Sequence, residues 1–381
     1  DHEPPRIPPL AASPAAPSAD AGATSPPTAA PAVDVSRSAG PPLVASPRQR
    51  LLDGLNEPQA QVVRHRGETP LLVLAGPGTG KTRVLTHRLA WLLLGGEVSP
   101  EQVLAVTFTI KAAGELRSRL ANLVGPELAA RLAVGTFHSL CLELLRAHAG
   151  AAGLPHDFGV LDAPGQQRLF EQVAHTAGLL PPGRRTTRRD LELLALARAH
   201  QGAEGVATWL AQAAPTEASR LTRLQCGYLA QLQQQGLVDF DGLLERAIAL
   251  LATDLVVRDQ VCGRLRVVAV DEYQDVNAVQ AQLVRLWAAG CPGGLVAIGD
   301  PDQAIYRFRG ADCRHFLRFG EEWPGATVLR LGQSYRSTDI ILQASRQALA
   351  GEHAGDGLWS GIAGDAKVLV RGFPSAEAEA E

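Results

Sequence analysis

Residues 75–82 read Ala-Gly-Pro-Gly-Thr-Gly-Lys-Thr, between the apolar run Leu71–Ala75 and a helical pattern over Arg83–Leu94. Strand, glycine-rich turn and helix, in that order, let a backbone curl successive N–H groups around one anion. The helix N-terminus adds the positive end of its dipole. In such a loop Ala75, Gly76, Pro77, Gly78, Thr79 and Gly80 form the phosphate cradle. Lys81 reaches the β- and γ-phosphates, and the Thr82 hydroxyl ligates Mg²⁺. The strict pattern asks for Gly where Ala75 stands, a departure that the widened form of the motif admits. Composition adds weight, because of 36 Lys and Arg residues only Lys81, Lys111 and Lys367 are lysines. A chain that uses Arg wherever either cation serves keeps a Lys for a chemical reason.

A second apolar run, Val267–Val270, ends in Asp271-Glu272 and continues Tyr273-Gln274-Asp275. Asp271 at a strand tip can hold Mg²⁺ through water, while Glu272 can orient and deprotonate a water attacking the γ-phosphate. An Asp-Glu pair alone also serves as an ordinary helix cap. Paired with the phosphate loop, it points to hydrolysis of a nucleoside triphosphate, with ATP and Mg²⁺ as the expected ligands.

These groups need elements to hold them. Apolar runs at Leu71–Ala75, Val103–Phe108, Leu132–Thr136, Arg266–Val270, Leu295–Ile298 and Thr327–Leu331 suit strands buried on both faces of a parallel sheet. Helical patterns such as Arg83–Leu94 and Ala112–Leu123 alternate with them, which predicts a doubly wound α/β core. Between Phe137 and Arg266 the rhythm breaks. Helical periodicity covers Gln166–Ala177, Arg189–Ala199, Leu221–Gln235 and Asp241–Ala252, with hardly any strand. An all-helical insertion is the simplest reading. Residues 1–50 hold 12 of the 26 prolines and 12 alanines without apolar periodicity, as expected of a disordered arm. The expected division is therefore 1–50 arm, 51–145 first part of the core, 146–240 insertion, 241–340 second part of the core, and 341–381 the start of a further lobe or a truncated tail.

Length and charge bound the rest. The 381 residues allow about two domains. With 36 basic and 39 acidic residues the formal net charge is −3, which excludes a polybasic binder but leaves room for a local basic cleft. Arg184, Arg185, Arg188 and Arg189 read first as a solvated basic surface, second as a contact to a DNA backbone. No apolar stretch approaches the roughly 18 residues a bilayer requires, and no basic-then-apolar leader opens the chain. Five scattered cysteines without a C-x-x-C pair fit a reduced, cytoplasmic protein. No methionine is present, so the chain is expected to be a fragment.

Six blocks, one of them the Asp271–Asp275 motif itself, accompany the phosphate loop. They are Leu55-Asn56 with Gln59, Thr107–Ala113, Gly135–Ser139, Asp271–Asp275, Gly299–Ala311 and Tyr335–Ser337. In this order and spacing, from about Leu51 onward, the chain resembles the UvrD/Rep/PcrA family of superfamily 1 DNA helicases. The resemblance implies a RecA-like lobe, and an ATP-driven motor that translocates 3′ to 5′ on single-stranded DNA and opens single/double-strand junctions. It implies that Gln59 reads the adenine edge, that Arg83 and Tyr335 surround the base, that Gln303 senses the γ-phosphate, and that Arg336 neutralises charge developing on it. It assigns Phe108, Lys111, Thr136, His138, Tyr306, Phe308 and Arg309 to DNA. Aromatics suit that task because every base offers a π-face. It also suggests repair or replication proteins as partners.

Duller readings stand beside these. Phe108 ends an apolar strand and could be core, and His138 could be a satisfied buried histidine. Ile110 and Ser334 stand where the family usually has Asn, and Phe308 where Trp is common. Motifs of the family's second lobe are absent. An ATP- and DNA-binding module without turnover, and the motor of a helicase–nuclease, are the alternative functions.

Overall fold

The structure, a computed structural model, describes residues 46–180, 188–349, 357–364, 367–369, 371–375 and 377–378. The expected arm up to residue 45, and Arg184 and Arg185, lie outside them.

Near-continuous Val/Leu/Ile runs make the sheet. In chain order the strands are β1 (Leu71–Ala75), β2 (Val103–Thr107), β3 (Ala133–Thr136), β4 (Gly159–Val160), β5 (Leu237–Val238), β6 (Val267–Val270), β7 (Leu295–Gly299), β8 (Thr327–Leu331), β9 (Gln333–Ser334) and β10 (Trp359–Ser360). Six of them form one parallel sheet in the order β3-β2-β6-β7-β1-β8. Strand edges differ from the sequence reading by a residue. Phe108, Leu132 and Arg266 fall outside β2, β3 and β6, and Gly299 joins β7. The apolar run marks burial, while the strand ends where the ladder ends.

The helices between Pro47 and Ala288 are α1 (Pro47–Arg50), α2 (Glu57–Arg64), α3 (Lys81–Leu94), α4 (Ile110–Val124), α5 (Pro126–Ala130), α6 (Phe137–Ala147), α7 (Ala163–Thr176), α8 (Arg188–Ala213), α9 (Ala218–Gln234), α10 (Phe240–Thr253), α11 (Leu255–Cys262) and α12 (Ala278–Ala288). Alternation along the strands sorts side chains between two cores. Leu71, Val73, Val103, Ala105, Val267, Ala269, Val296 and Ile298 face Val62, Val84, Leu89, Leu116 and Leu120. Leu72, Leu104, Val106, Val268, Val270, Leu295 and Ala297 face Phe137, Leu145, Leu244, Leu251, Val284 and Trp287. The end of the expected arm is structured from Ser46, where α1 sets Arg48 over the Trp91 ring and against Glu97.

α7, α8 and α9 build a third, separate core from Leu169, Phe170, Leu194, Leu210, Leu221, Leu224 and Tyr228. The chain leaves and re-enters this block side by side, because β4 and β5 pair with each other. α8 is broken at Gly202, whose φ of 68° no ordinary helical residue adopts.

One buried guanidinium joins this helical block to the main core. Arg198 on α8, with 2% side-chain exposure, donates to Asp239 at 2.6 and 3.1 Å and to Glu245 at 3.0 and 2.6 Å. Tyr228 on α9 donates to the same Asp239 at 3.0 Å, and Asp239 caps α10 through Gly242 N. Removing one partner of a buried ion pair leaves the other charged and dry, so Arg198→Met is expected to cost about 3–5 kcal/mol in chemical denaturation. Arg188→Ala is the control. Its side chain is 94% exposed and pairs with Glu192 across one helical turn, so the loss stays below about 1 kcal/mol. Equal losses for the two variants would contradict the assignment.

Candidate nucleotide site and nucleic-acid face

Because all six main strands run parallel, their carboxyl ends share one edge, where crevices between loops hold ligands. The order places β1, which leads into the phosphate loop, between β7 and β8, with β6 next to β7. The residues after β1, β6, β7 and β8 therefore meet, although up to about 260 positions separate them in the chain.

The loop itself is set by glycine. Gly78 has φ 76°, and a Cβ there would lie 2.5 Å from Arg336 Cβ and 2.7 Å from Ser334 Oγ. Gly80 caps α3 at φ 90° without a side-chain hydrogen bond, which leaves the first-turn N–H groups of α3 for an anion. Thr79 is buried and its hydroxyl donates to Gly76 O at 2.8 Å. Ser334 Oγ donates to Pro77 O at 3.0 Å and Tyr335 N to Gly78 O at 2.8 Å, so the segment after β8 clasps the loop from outside. Ser334, standing where Asn is usual, makes that clasp. Ala75 ends β1 in the core. Thr82 and Arg83 occupy the first turn of α3, Thr82 half-buried and Arg83 exposed.

Lys81 has only 11% side-chain exposure. Its ammonium donates to Gln303 Oε1 at 3.1 Å and lies 3.4 Å from Glu272 Oε2. Gln303 is held in turn by Asp300, its Nε2 donating to Oδ2 at 2.6 Å. Glu272 is the one non-glycine residue at positive φ (50°) among the described residues. Such a conformation costs about 1–3 kcal/mol and persists only where the surroundings over-determine it. Asp271, at the end of β6, accepts from Glu272 N at 3.1 Å. Burial first, then the neighbouring Glu272 carboxylate, push Asp271 up to about 6. The same two causes bring Asp275 to about 6, and burial raises Asp300.

These features fit a magnesium nucleotide. The loop offers unspent N–H groups and a lysine, and the pocket edge carries the buried carboxylate of Asp271. Asp271 and Thr82 would hold the metal, which when bound neutralises phosphate charge.

On the base side the geometry is tighter than the sequence suggests. Gln59 is 1% exposed, its Nε2 donating to Thr79 O at 2.9 Å while its Oε1 accepts from Asn56 N at 3.1 Å. One N–H and one lone pair of its amide remain for an adenine edge. Asn56 Nδ2 donates to Tyr335 OH at 3.0 Å, which ties Tyr335 to the residue that caps α2. Tyr335 and Arg336 stay exposed.

The expected DNA residues lie beyond the same edge. Phe108 is half-buried, edge-on to Phe137 at 5.8 Å. The Thr136 hydroxyl is engaged, accepting from Ser139 N at 3.2 Å as the cap of α6. Lys111 is exposed, with Glu115 4.0 Å away. His138 lies edge-on to Phe240 at 5.7 Å, and burial lowers its pKa. Phe308 is 68% exposed, with the Tyr306 ring 6.0 Å away. The Arg309 side chain lies outside the described residues. Phe240, an exposed aromatic at the start of α10, escaped the sequence reading because it belongs to no quoted block and only its contact with His138 marks it. Gln274 and Asp300 did lie inside quoted blocks, but nothing in their spacing revealed their partners.

A family model described as the UvrD/REP helicase N-terminal domain matches residues 55–324. The chain belongs to the UvrD/REP helicase family. It is 39% identical over 317 residues to the ATP-dependent DNA helicase UvrD1 of Mycobacterium tuberculosis, covering 80% of this chain and 40% of that protein. It is 38% identical to DNA helicase II of Salmonella typhimurium over 85% of this chain and 44% of that one. For the ATP-dependent DNA helicase PcrA of Staphylococcus aureus the identity is 35%, over 81% and 42%. The chain thus spans about two fifths of the length of these UvrD/REP relatives. No helix among its described residues is long and apolar enough to cross a membrane.

The raised Asp271 gives a pH test. A carboxyl whose folded pKa exceeds its unfolded value favours folding below the unfolded pKa, near 3.8, and loses that advantage as pH rises through about 6. Asp271→Asn keeps the oxygen that accepts from Glu272 N but cannot ionise. It is expected to raise the ligand-free melting midpoint at pH 8 and to leave it nearly unchanged at pH 4. An identical midpoint shift at both pH values would refute the assignment.

Proposed function

We propose that this chain is the ATP-binding lobe of a motor that hydrolyses ATP to move 3′ to 5′ along single-stranded DNA and to open single/double-strand junctions. The observation that carries the reading is the placement of Lys81 between Glu272 and Gln303, three residues before the Tyr306–Phe308 aromatic pair. In this reading Gly76–Thr82 bind the phosphates and Arg83, Gln59 and Tyr335 border the base. Glu272 takes the proton of the attacking water, and Arg336 adds positive charge where it develops on the γ-phosphate. Phe108, Lys111, Thr136, His138, Tyr306, Phe308 and Arg309 form the DNA face, where stacking grips a strand without reading its sequence.

The proposed division has the helical insertion at 146–240 between the two parts of the lobe, with 341–381 leading toward a second lobe. The greater length of the relatives supports such a lobe, and unwinding would require it. A cytoplasmic site of action and repair or replication proteins as partners complete the proposal.

The test is ATP hydrolysis with and without single-stranded DNA, beside Lys81→Ala. DNA-stimulated turnover that falls by a factor of at least about 100 in the variant supports the reading, because phosphate charge loses its main protein cation. Turnover unchanged in Lys81→Ala would refute it. ATP-dependent DNA affinity without any turnover would favour the binding module.

A further inference from the structure

Gln274 has no part in the reading above, yet it is 2% exposed and both ends of its amide are engaged. Its Nε2 donates to Glu272 Oε2 at 2.9 Å, and its Oε1 accepts from Asp300 N at 3.0 Å. Only this orientation of the amide satisfies both neighbours, since the reverse would set oxygen against carboxylate and N–H against N–H. Space for it is kept by Gly299, where a Cβ would lie 2.1 Å from Gln274 Oε1. The bonds close a ring. Lys81 donates to Gln303, Gln303 to Asp300, Asp300 N to Gln274, and Gln274 to Glu272, which pairs with Lys81.

Two donors, Lys81 and Gln274, thus converge on the same oxygen of Glu272. A phosphate that draws the ammonium away removes one of them. We infer that Gln274 is a positioning residue for hydrolysis. It retains Oε2 of Glu272 when Lys81 turns to phosphate, so that Oε1 stays directed at the attacking water. Through Asp300 it also ties the base to Gln303, so the strand end that answers the phosphate carries the base with it. The inference rests on the reading of Glu272 as the base.

Two variants test it in the full-length natural protein. Gln274→Met removes both bonds. Gln274→Glu keeps an acceptor for Asp300 N but sets a second carboxylate where the donor to Glu272 stood, so it separates the two bonds. A hydrogen bond to a charged group is worth about a 10- to 100-fold change. Both variants are expected to lower kcat by that factor, while KM for ATP and affinity for a non-hydrolysable analogue move less than about threefold. In a Glu272→Gln background the same substitutions are expected to cause no further loss, because the residue acts through that carboxylate. Parallel loss of nucleotide affinity, or additive loss in the Glu272→Gln background, would overturn the inference and leave Gln274 a structural support. Absence of Lys81-dependent hydrolysis in the unmodified protein would sink the hydrolase reading instead. The crystal structure of Gln274→Met, which adds no charge beside Glu272, then decides the geometric point. A Glu272 carboxylate swung away from its place beside Lys81 supports the tether, and an unmoved one contradicts it.

Discussion

The Lys81 ammonium sits almost out of water, and a charge in that position must be answered by something. Without nucleotide the answer comes from Glu272 and Gln303. A γ-phosphate would replace both, and the groups released are the ones the proposed mechanism needs, a base for water and an amide at the head of the loop toward the aromatic pair. Much of the surrounding structure serves this exchange. The positive-φ glycines hold N–H groups open, Ser334 and Tyr335 clasp the loop, and Asp300 keeps Gln303 in place.

The parallel sheet makes the exchange local. Its strand order brings the ends of β1, β6, β7 and β8 together, while β2 and β3 carry Phe108, Lys111, Thr136 and His138 farther along the same edge. The helical block is anchored by Arg198, whose neighbour Ala199 lies so close to Gly310 that a Cβ there would approach within 2.6 Å. The ionic cluster and the aromatic loop are therefore mechanically adjacent.

The phosphate loop and the carboxylate strand were legible in the sequence because their chemistry depends on contiguous residues, Gly76–Thr82 and Val267–Glu272. The doubly wound core followed from apolar runs. What stayed hidden depends on contacts that sequence spacing does not encode. Arg198 meets Asp239 across 41 positions, and Gln274 meets Asp300 across 26. The engagement of one side of the Gln59 amide by Asn56 and Thr79 is likewise a property of the folded loop. The break at Gly202 lies just past the expected helical pattern Arg189–Ala199, and a glycine there marks a break only when φ turns positive.

The central claim is that phosphate at Lys81 and DNA at the aromatic face share one free energy. Its most direct test is the affinity of the protein for a fluorescent single-stranded oligonucleotide, measured with and without a non-hydrolysable ATP analogue and Mg²⁺. The account predicts a change of at least about fivefold, and an equal change in analogue affinity when DNA is present, because coupling between binding sites is reciprocal. Identical DNA affinity in both conditions would contradict it.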